Sequence, residues 1–127
     1  MVRRDYSDYL QDIIKAIDEI RDFIRGQNSE SFETDRKTIN AVVRSLEVIG
    51  EAAKKIPFSL KRKNPAIPWK KMAGMRDKLI HEYFGIDVGM VWKVAKEDIP
   101  KLKPMISKVV KISQGYLRFK TGRKSGK

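Results

Sequence analysis

Residues 5–25 read DYSDYLQDIIKAIDEIRDFIR and are followed by Gly26. Their apolar side chains recur every three or four residues, which predicts a helix of about six turns with one apolar face. The residues of this face are Tyr6, Tyr9, Leu10, Ile13, Ile14, Ile17, Ile20, Phe23 and Ile24. Because glycine readily adopts the backbone conformation that ends helices, we expect the helix to end at Gly26 and the polar residues 26–31 to form a turn.

The same spacing returns in two later segments, residues 34–55 and residues 69–84. In the first of them, Gly50 and the alanines that follow it indicate that another helix approaches closely. The second has Pro68 at its start and Gly85 directly after its end, as is typical of helix boundaries. We therefore predict one long helix over each segment.

The remaining segments also favour helices. Asp87 is placed to cap a short helix that runs to Val94. A further helix starts near Pro100 and runs to about residue 112; Pro104 removes a backbone donor, so this helix is either kinked or begins nearer Lys103. Since no segment alternates with period two, the sequence predicts an all-α fold, an antiparallel bundle of four to five helices over residues 1–113.

The composition excludes several classes of protein. The 127 residues suffice for one domain. The chain has no cysteine and one histidine, so disulfide scaffolds, cysteine nucleophiles and multi-histidine metal sites are excluded, and we predict neither a metal nor a cofactor. No apolar run approaches the ~20 residues that span a bilayer. The N-terminus has no export signal, so we expect a cytoplasmic protein without membrane contact.

The charge favours a polyanionic partner. Lys and Arg number 28 against 16 acidic residues, a net charge of +12, which is typical of proteins that bind nucleic acid. Residues 114–127 hold five of the basic residues and no acid. We interpret them as a basic C-terminal tail that is either disordered or in contact with RNA. Lys61-Arg62-Lys63 and Lys70-Lys71 either follow a phosphate backbone or form a solvated loop.

The only histidine, His81, lies close in sequence to three other polar side chains. On an ideal helix, Asp77 lies one turn before His81 on the same face, and Tyr83 lies nearly in line with Arg76. Arg76 and His81 would be about 140° apart around such a helix. They could form one site only if the helix end bends at Gly85 or if a second copy of the motif faces the first.

These residue types suit RNA cleavage without a metal ion. Histidine titrates near neutral pH and can act as a base toward the 2′-hydroxyl or as an acid toward the leaving 5′-oxygen. Arginine keeps its charge and offers a fixed fork of donors to phosphate. The alternatives are structural: a histidine near a helix end compensates the helix dipole, Arg76 and Asp77 are surface charges, and Tyr83 packs in the core.

A second acidic pair offers weaker chemistry. Glu47 and Glu51 are one turn apart and could ligate a metal, but no histidine accompanies them. Ion pairs with Arg44, Lys54 or Lys55 are the favoured interpretation.

Arg76-x4-His81-x-Tyr83 resembles the signature of the HepT family of HEPN-domain toxins. Further segments are similar to that family and follow in the same order: DRKT at 35–38, LEVIGEAAK at 46–54, IPW at 67–69, VW at 91–92 and EDIPKLKP at 97–104. The resemblance covers about residues 4–112, and the basic tail falls outside it.

The resemblance implies a HEPN-like homodimer in which two Arg-x4-His motifs meet in a cleft. It implies a metal-independent endoribonuclease, the toxin of a type VII-like toxin–antitoxin pair. Its antitoxin would be an MntA-type minimal nucleotidyltransferase that transfers AMP to the motif tyrosine. Carried over by position, Arg76 and His81 would be catalytic, Asp77 would support them, and Tyr83 would accept AMP.

A different class of function stays open at this point. The chain could be a non-catalytic helical module that binds RNA or scaffolds the nucleotidyltransferase. An RNA cleavage assay separates this alternative from the nuclease.

Overall fold

The computed structural model describes the backbone of residues 5–81 and 85–120 and the side chains of residues 5–80 and 85–112. These residues are helical apart from turns and one pair of two-residue strands, which confirms the predicted all-α class. The elements are α1 (Tyr6–Phe23), α2 (Ser29–Glu33), α3 (Arg36–Lys55), α4 (Phe58–Lys63), α5 (Trp69–Ala73), α6 (Met75–Leu79), β1 (Ile80–His81), β2 (Gly85–Ile86), α7 (Val88–Lys93), a π-helical turn (Val94–Asp98) and α8 (Ile99–Lys120).

Helix α1 forms as its spacing predicts. Asp5 caps it by accepting a hydrogen bond from the Ser7 amide at 3.2 Å, and the chain turns at Gly26, whose φ is +78°. Its apolar face packs against α3 and α8. The fully buried members of that face are Leu10, Ile13, Ile17 and Ile20.

The turn predicted at residues 26–31 is partly wrong, because α2 begins at Ser29. Asn28 and Ser31 cap this helix reciprocally: each backbone amide donates to the other side chain, at 3.0 and 2.8 Å. Phe32 is fully buried, and its ring centroid lies 5.2 Å from that of Trp92. A helix of five residues is too short to produce a periodic pattern, so side-chain capping and one buried ring define it.

Helix α3 begins at a well-satisfied cap. The Asp35 carboxylate accepts hydrogen bonds from the Thr38 hydroxyl, the Gln27 side-chain amide and the Thr38 backbone amide, at 2.6, 2.9 and 3.1 Å. The Thr38 hydroxyl and then the Gln27 amide stabilise the ionised form, which lowers the pKa of Asp35 below its usual value.

Gly50 allows the close approach that its position predicts. A Cβ atom there would lie 3.1 Å from the carbonyl oxygen of Met72 and 3.5 Å from that of Ala73. The backbone of α5 therefore rests directly on α3. This contact sets the distance between α3 and the segment that follows α5.

The single helix predicted over residues 69–84 is wrong. Gly74, with ψ near 6°, separates α5 from α6, and α6 ends at Leu79. Ile80 adopts an extended conformation, and β1 pairs with β2 in antiparallel register, His81 opposite Gly85. Gly85 has a φ of +78°, a conformation that glycine adopts readily. Gly85 therefore belongs to this hairpin and does not end a helix.

The C-terminal part of the chain is nearly continuous helix. Asp87 caps α7 by accepting from the Met90 amide at 3.2 Å, as predicted. A π-helical turn joins α7 to α8, so the last helix has no separate start, and it continues through Pro104 instead of beginning near Lys103. The backbone of α8 extends to Lys120. The domain boundary at residue 113 stays a prediction.

One hydrophobic core joins these elements. Its buried apolar side chains come from α1, α3, α5, α7 and α8, with Leu79 from α6 and Phe32 from α2. Over the described residues, no helix combines the length and the hydropathy required to cross a membrane.

Candidate active site

Arg76 lies in α6, and a contact with α3 fixes its guanidinium. Its Nε atom donates a hydrogen bond to Oε2 of Glu47 at 2.9 Å. The Glu47 side chain is 28% exposed and that of Arg76 is 55% exposed. An arginine has five N–H donors, so the contact through Nε leaves the Nη atoms able to bind an anion.

The packing of α5 on α3 explains how this contact arises. Gly50 lies one turn beyond Glu47 on α3, and the α5 backbone rests on it. Gly74 then redirects the chain into α6, which also packs against α3. The bend at Gly74 and the close approach at Gly50 together bring Arg76 beside Glu47.

Asp77 lies next to Arg76 and is largely solvated. Its Oδ1 atom is 3.8 Å from Nη1 of Arg76, too far for a hydrogen bond, and its side chain is 86% exposed. Asp77 therefore acts on Arg76 only through its charge.

The helical relation predicted between Asp77 and His81 is wrong. Because α6 ends at Leu79, His81 does not lie one helical turn after Asp77 on a shared face. A bent helix end is one of the two arrangements that could join Arg76 and His81, and the chain does leave the helix, at Ile80 instead of at Gly85. The backbone of His81 belongs to β1, and Tyr83 lies outside the described residues.

The second acidic pair is engaged in ion pairs. Glu51 lies 3.2 Å from Nζ of Lys54, as the favoured interpretation predicts. The partner of Glu47 is Arg76 and not the neighbouring Arg44. Among the side chains that the structure describes, no three His, Asp or Glu residues come close enough to hold a metal ion.

The sequence singled out Glu47 only as half of an acidic pair and did not reveal its contact with Arg76. Glu47 lies 29 positions before Arg76, and the helical pattern of α3 pairs it only with neighbours one turn away. Its role depends on the crossing of two helices. The only sequence signal for that crossing was Gly50.

A surface cavity of about 300 Å³ lies beside this ion pair, between α1 and α3. Glu47 forms part of its wall together with Tyr9, Asp12, Arg44, Glu51 and Lys55. A second cavity of about 400 Å³ lies between the end of α1 and the π-helical turn. Arg76 and Asp77, the motif residues whose side chains the structure describes, do not line the second cavity.

The chain around Arg76 is strongly basic. Residues 52–76 contain no acid, and their basic side chains are Lys54, Lys55, Lys61, Arg62, Lys63, Lys70, Lys71 and Arg76. The structure places the predicted basic runs in α4 and α5. All of these residues except half-buried Lys61 are exposed. The segment that leads to the motif is thus a cationic surface.

Comparison with known proteins identifies the family. A family model described as Ribonuclease HepT-like matches residues 13–109. A protein of Thermococcus cleftensis described as a probable ribonuclease HepT is 54% identical over 110 residues, which cover 87% of this chain and all of the relative. A protein of Methanocaldococcus jannaschii provisionally named RNase MJ1216 is 47% identical over 115 residues, covering 91% of this chain and 95% of the relative.

No solved structure matches the chain. The family model and these relatives span nearly the whole helical domain, including α3, the bend at Gly74 and the Arg76–His81 motif. The chain belongs to the HepT-like ribonuclease family.

Proposed function

We propose that this ribonuclease is a toxin that cuts RNA without a metal ion, with Arg76 and His81 in its catalytic centre. The observation that carries the proposal is the geometry of Arg76, a half-exposed guanidinium held through Nε by Glu47. Such a group can bind a phosphate through its Nη donors and stabilise the charge that develops during cleavage. The family membership supplies RNA as the substrate.

The proposed reaction is an attack within the RNA strand. One His81 takes the proton of a 2′-hydroxyl, the 2′-oxygen attacks the adjacent phosphorus, and the bond to the 5′-oxygen breaks. The 5′-oxygen takes its proton from the His81 of a second copy. The products are a 2′,3′-cyclic phosphate and a 5′-hydroxyl end. A homodimer supplies both histidines, because the chain has only one.

We further propose that an MntA-type nucleotidyltransferase antitoxin silences the enzyme by transferring AMP to Tyr83, in a type VII-like pair in the cytoplasm. Because α6 ends at Leu79 and Tyr83 lies outside the described residues, helical alignment with Arg76 does not support this step. The support that remains is chain proximity: Tyr83 is two residues from His81, so their Cα atoms are at most about 7 Å apart. An adenylate there would bring a negative phosphate to the place where RNA must bind.

The test is cleavage of RNA by the purified, unmodified protein in the presence of EDTA. We expect His81→Ala and Arg76→Ala to abolish cleavage while the circular dichroism spectrum stays unchanged. Lys78→Ala, an exposed change in the same helix, is the control and should retain activity. Cleavage that requires an added divalent cation contradicts the metal-independent mechanism, and two active variants contradict the assignment of the site.

The regulatory step has a separate test. Incubation with the nucleotidyltransferase and ATP should add the mass of AMP at Tyr83 and stop RNA cleavage, and Tyr83→Phe should resist both changes. A protein that carries AMP on Tyr83 and still cleaves RNA contradicts this part of the proposal.

A further inference from the structure

Phe58, the first residue of α4, is 73% exposed. The other large apolar side chains exposed in the described part of the chain are Ile112 at 62% and Phe23 at 38%. A single exposed apolar side chain is common in proteins. The surroundings of Phe58 set it apart from the other two.

The ring of Phe58 lies in a basic turn. The guanidinium carbon of Arg62, one turn later, is 5.5 Å from the ring centroid, within the range of a cation–π contact. Lys61 and Lys63 flank Arg62 in the same short helix. An aromatic ring and three cations thus lie within one helix of six residues, and we call these four residues the Phe58 surface (Phe58, Lys61, Arg62 and Lys63).

The charge of this surface is not compensated within the described structure. None of its three cations lies within 4.0 Å of a described carboxylate, and neither does Lys70 or Lys71 in the following helix. The sequence offers no acid between Glu51 and Asp77. In contrast, Arg21 of α1 lies 3.6 Å from Asp18 of that helix, and Arg25, just beyond the helix, lies 2.8 Å from Asp22. The Phe58 surface is therefore free to bind an external anion.

We propose that the Phe58 surface binds single-stranded RNA, with one base stacked on the Phe58 ring and adjacent phosphates bound by Lys61, Arg62 and Lys63. Stacking on an exposed ring requires a base whose face is open, which a duplex does not offer. The proposal rests on the proposed function only in taking RNA as the anion. It adds the form of the RNA and a binding site outside the motif.

The position of Phe58 lets one strand reach both sites. Glu47 and Lys55 are eight residues apart on α3, a rise of about 12 Å. Three further residues lead to Phe58 and span at most about 11 Å. A strand bound at Phe58 therefore passes within about 23 Å of the residue that holds Arg76.

The same features disfavour a protein on this surface. The centres of protein interfaces are depleted in lysine, and a second copy placed here by a two-fold axis would bring like charges together. A nucleic acid can stack a base on the ring and place its phosphates beside the cations.

The experiment measures binding of labelled RNA to the full chain carrying His81→Ala, so that the RNA stays intact. We expect Phe58→Ala to weaken binding of a single-stranded oligonucleotide of about 16 nucleotides by about fivefold to a hundredfold. Phe58→Tyr keeps the ring and should bind as the parent does. Phe23→Ala is the matched control, because it removes another exposed phenylalanine, one that follows an acid, Asp22, and does not belong to a basic run. Binding of duplex RNA should be weaker and should not depend on Phe58.

A second arm tests the cations. Replacing both Lys61 and Lys63 by alanine should reduce the slope of log affinity against log salt by about 1.4, since each single-strand phosphate contact contributes about 0.7. Replacing the exposed Lys101 and Lys111 of α8 by alanine removes the same charge and should leave the slope unchanged.

Three results would overturn the inference. In the first, Phe58→Ala binds single-stranded RNA as tightly as Phe23→Ala does. In the second, Phe58→Ala weakens the binding of duplex RNA as much as that of single-stranded RNA, and in the third it converts a dimer into a monomer in sedimentation. The last result would assign the surface to a second copy of the chain. If the unmodified protein cleaves no RNA while its binding depends on Phe58, the proposed function fails and this inference stands.

Discussion

At Arg76 the guanidinium that we propose binds phosphate also contacts a carboxylate. The pair with Glu47 is partly exposed, so its net contribution to stability is only about 0–1 kcal/mol. The contact uses Nε, and a phosphate can bind the Nη edge without displacing Glu47. The value of the pair therefore lies in orienting Arg76, because a guanidinium that is already fixed loses less entropy when the substrate binds.

We expect Glu47→Gln to lower the rate of RNA cleavage by about tenfold at saturating RNA, with a smaller change in KM, since the amide holds the guanidinium less firmly. Glu51→Gln is the control, because it removes the same charge one turn further along α3, where the partner is Lys54. Single-turnover rates measure the effect. In the Arg76→Lys variant, which lacks the Nε donor, Glu47→Gln should cause no further loss of rate. If Glu47→Gln lowers the rate equally in the wild-type protein and in the Arg76→Lys variant, Glu47 does not act through Arg76.

Arg76 and His81 could be predicted as site residues from the sequence, whereas the contact of Glu47 with Arg76 could not. The first two are residue types suited to phosphoryl chemistry that stand in a recognisable motif. Glu47 is one of two acids in α3, and its partner lies 29 positions away. Local spacing carries no information about such a pair, because the crossing of two helices creates it.

At the scale of elements, the α3–α5 crossing depends on a glycine. We expect Gly50→Ala to destabilise the protein by about 1 kcal/mol, because overpacking against the α5 carbonyls outweighs the ~1 kcal/mol that alanine gains in a helix. Gly89→Ala is the matched control: a Cβ there meets only Asp87 Oδ1 at 3.9 Å, and the change should stabilise α7 by about 0.5 kcal/mol. Urea unfolding followed by circular dichroism gives both values. Equal stabilisation by the two changes would contradict a tight crossing.

The elements themselves were predictable in proportion to their length. Helices α1 and α3 each repeat their apolar spacing over several turns, so their periodic signal is strong. Residues 69–84 kept that spacing although the helix ends at Leu79. The end is determined by the pairing of β1 with β2, in which the Asp87 amide also donates to the Leu79 carbonyl at 3.0 Å. Pairing of this kind is not visible in a helical pattern.

For the molecule as a whole, the distribution of charge matters more than its total. Helix α1 and its cap carry six acids, Asp5, Asp8, Asp12, Asp18, Glu19 and Asp22, whereas residues 52–76 carry none. The net charge of +12 is thus concentrated away from α1 and toward the segment that ends at Arg76. The positive electrostatic potential of residues 52–76 would attract RNA toward the motif, and added salt would weaken this attraction.

The proposed dimer is also a property of the whole molecule, because one chain has a single histidine for the two proton transfers of the proposed reaction. We expect mixtures of wild-type protein and His81→Ala, dissociated and reassembled together, to lose activity as the square of the wild-type fraction. An equal mixture should retain about a quarter of the activity, since only dimers with two intact histidines cleave. Mixing with Lys78→Ala is the control and should cost nothing. If an equal mixture retains half of the activity, each protomer acts alone, and the acid and the base do not come from paired copies of His81.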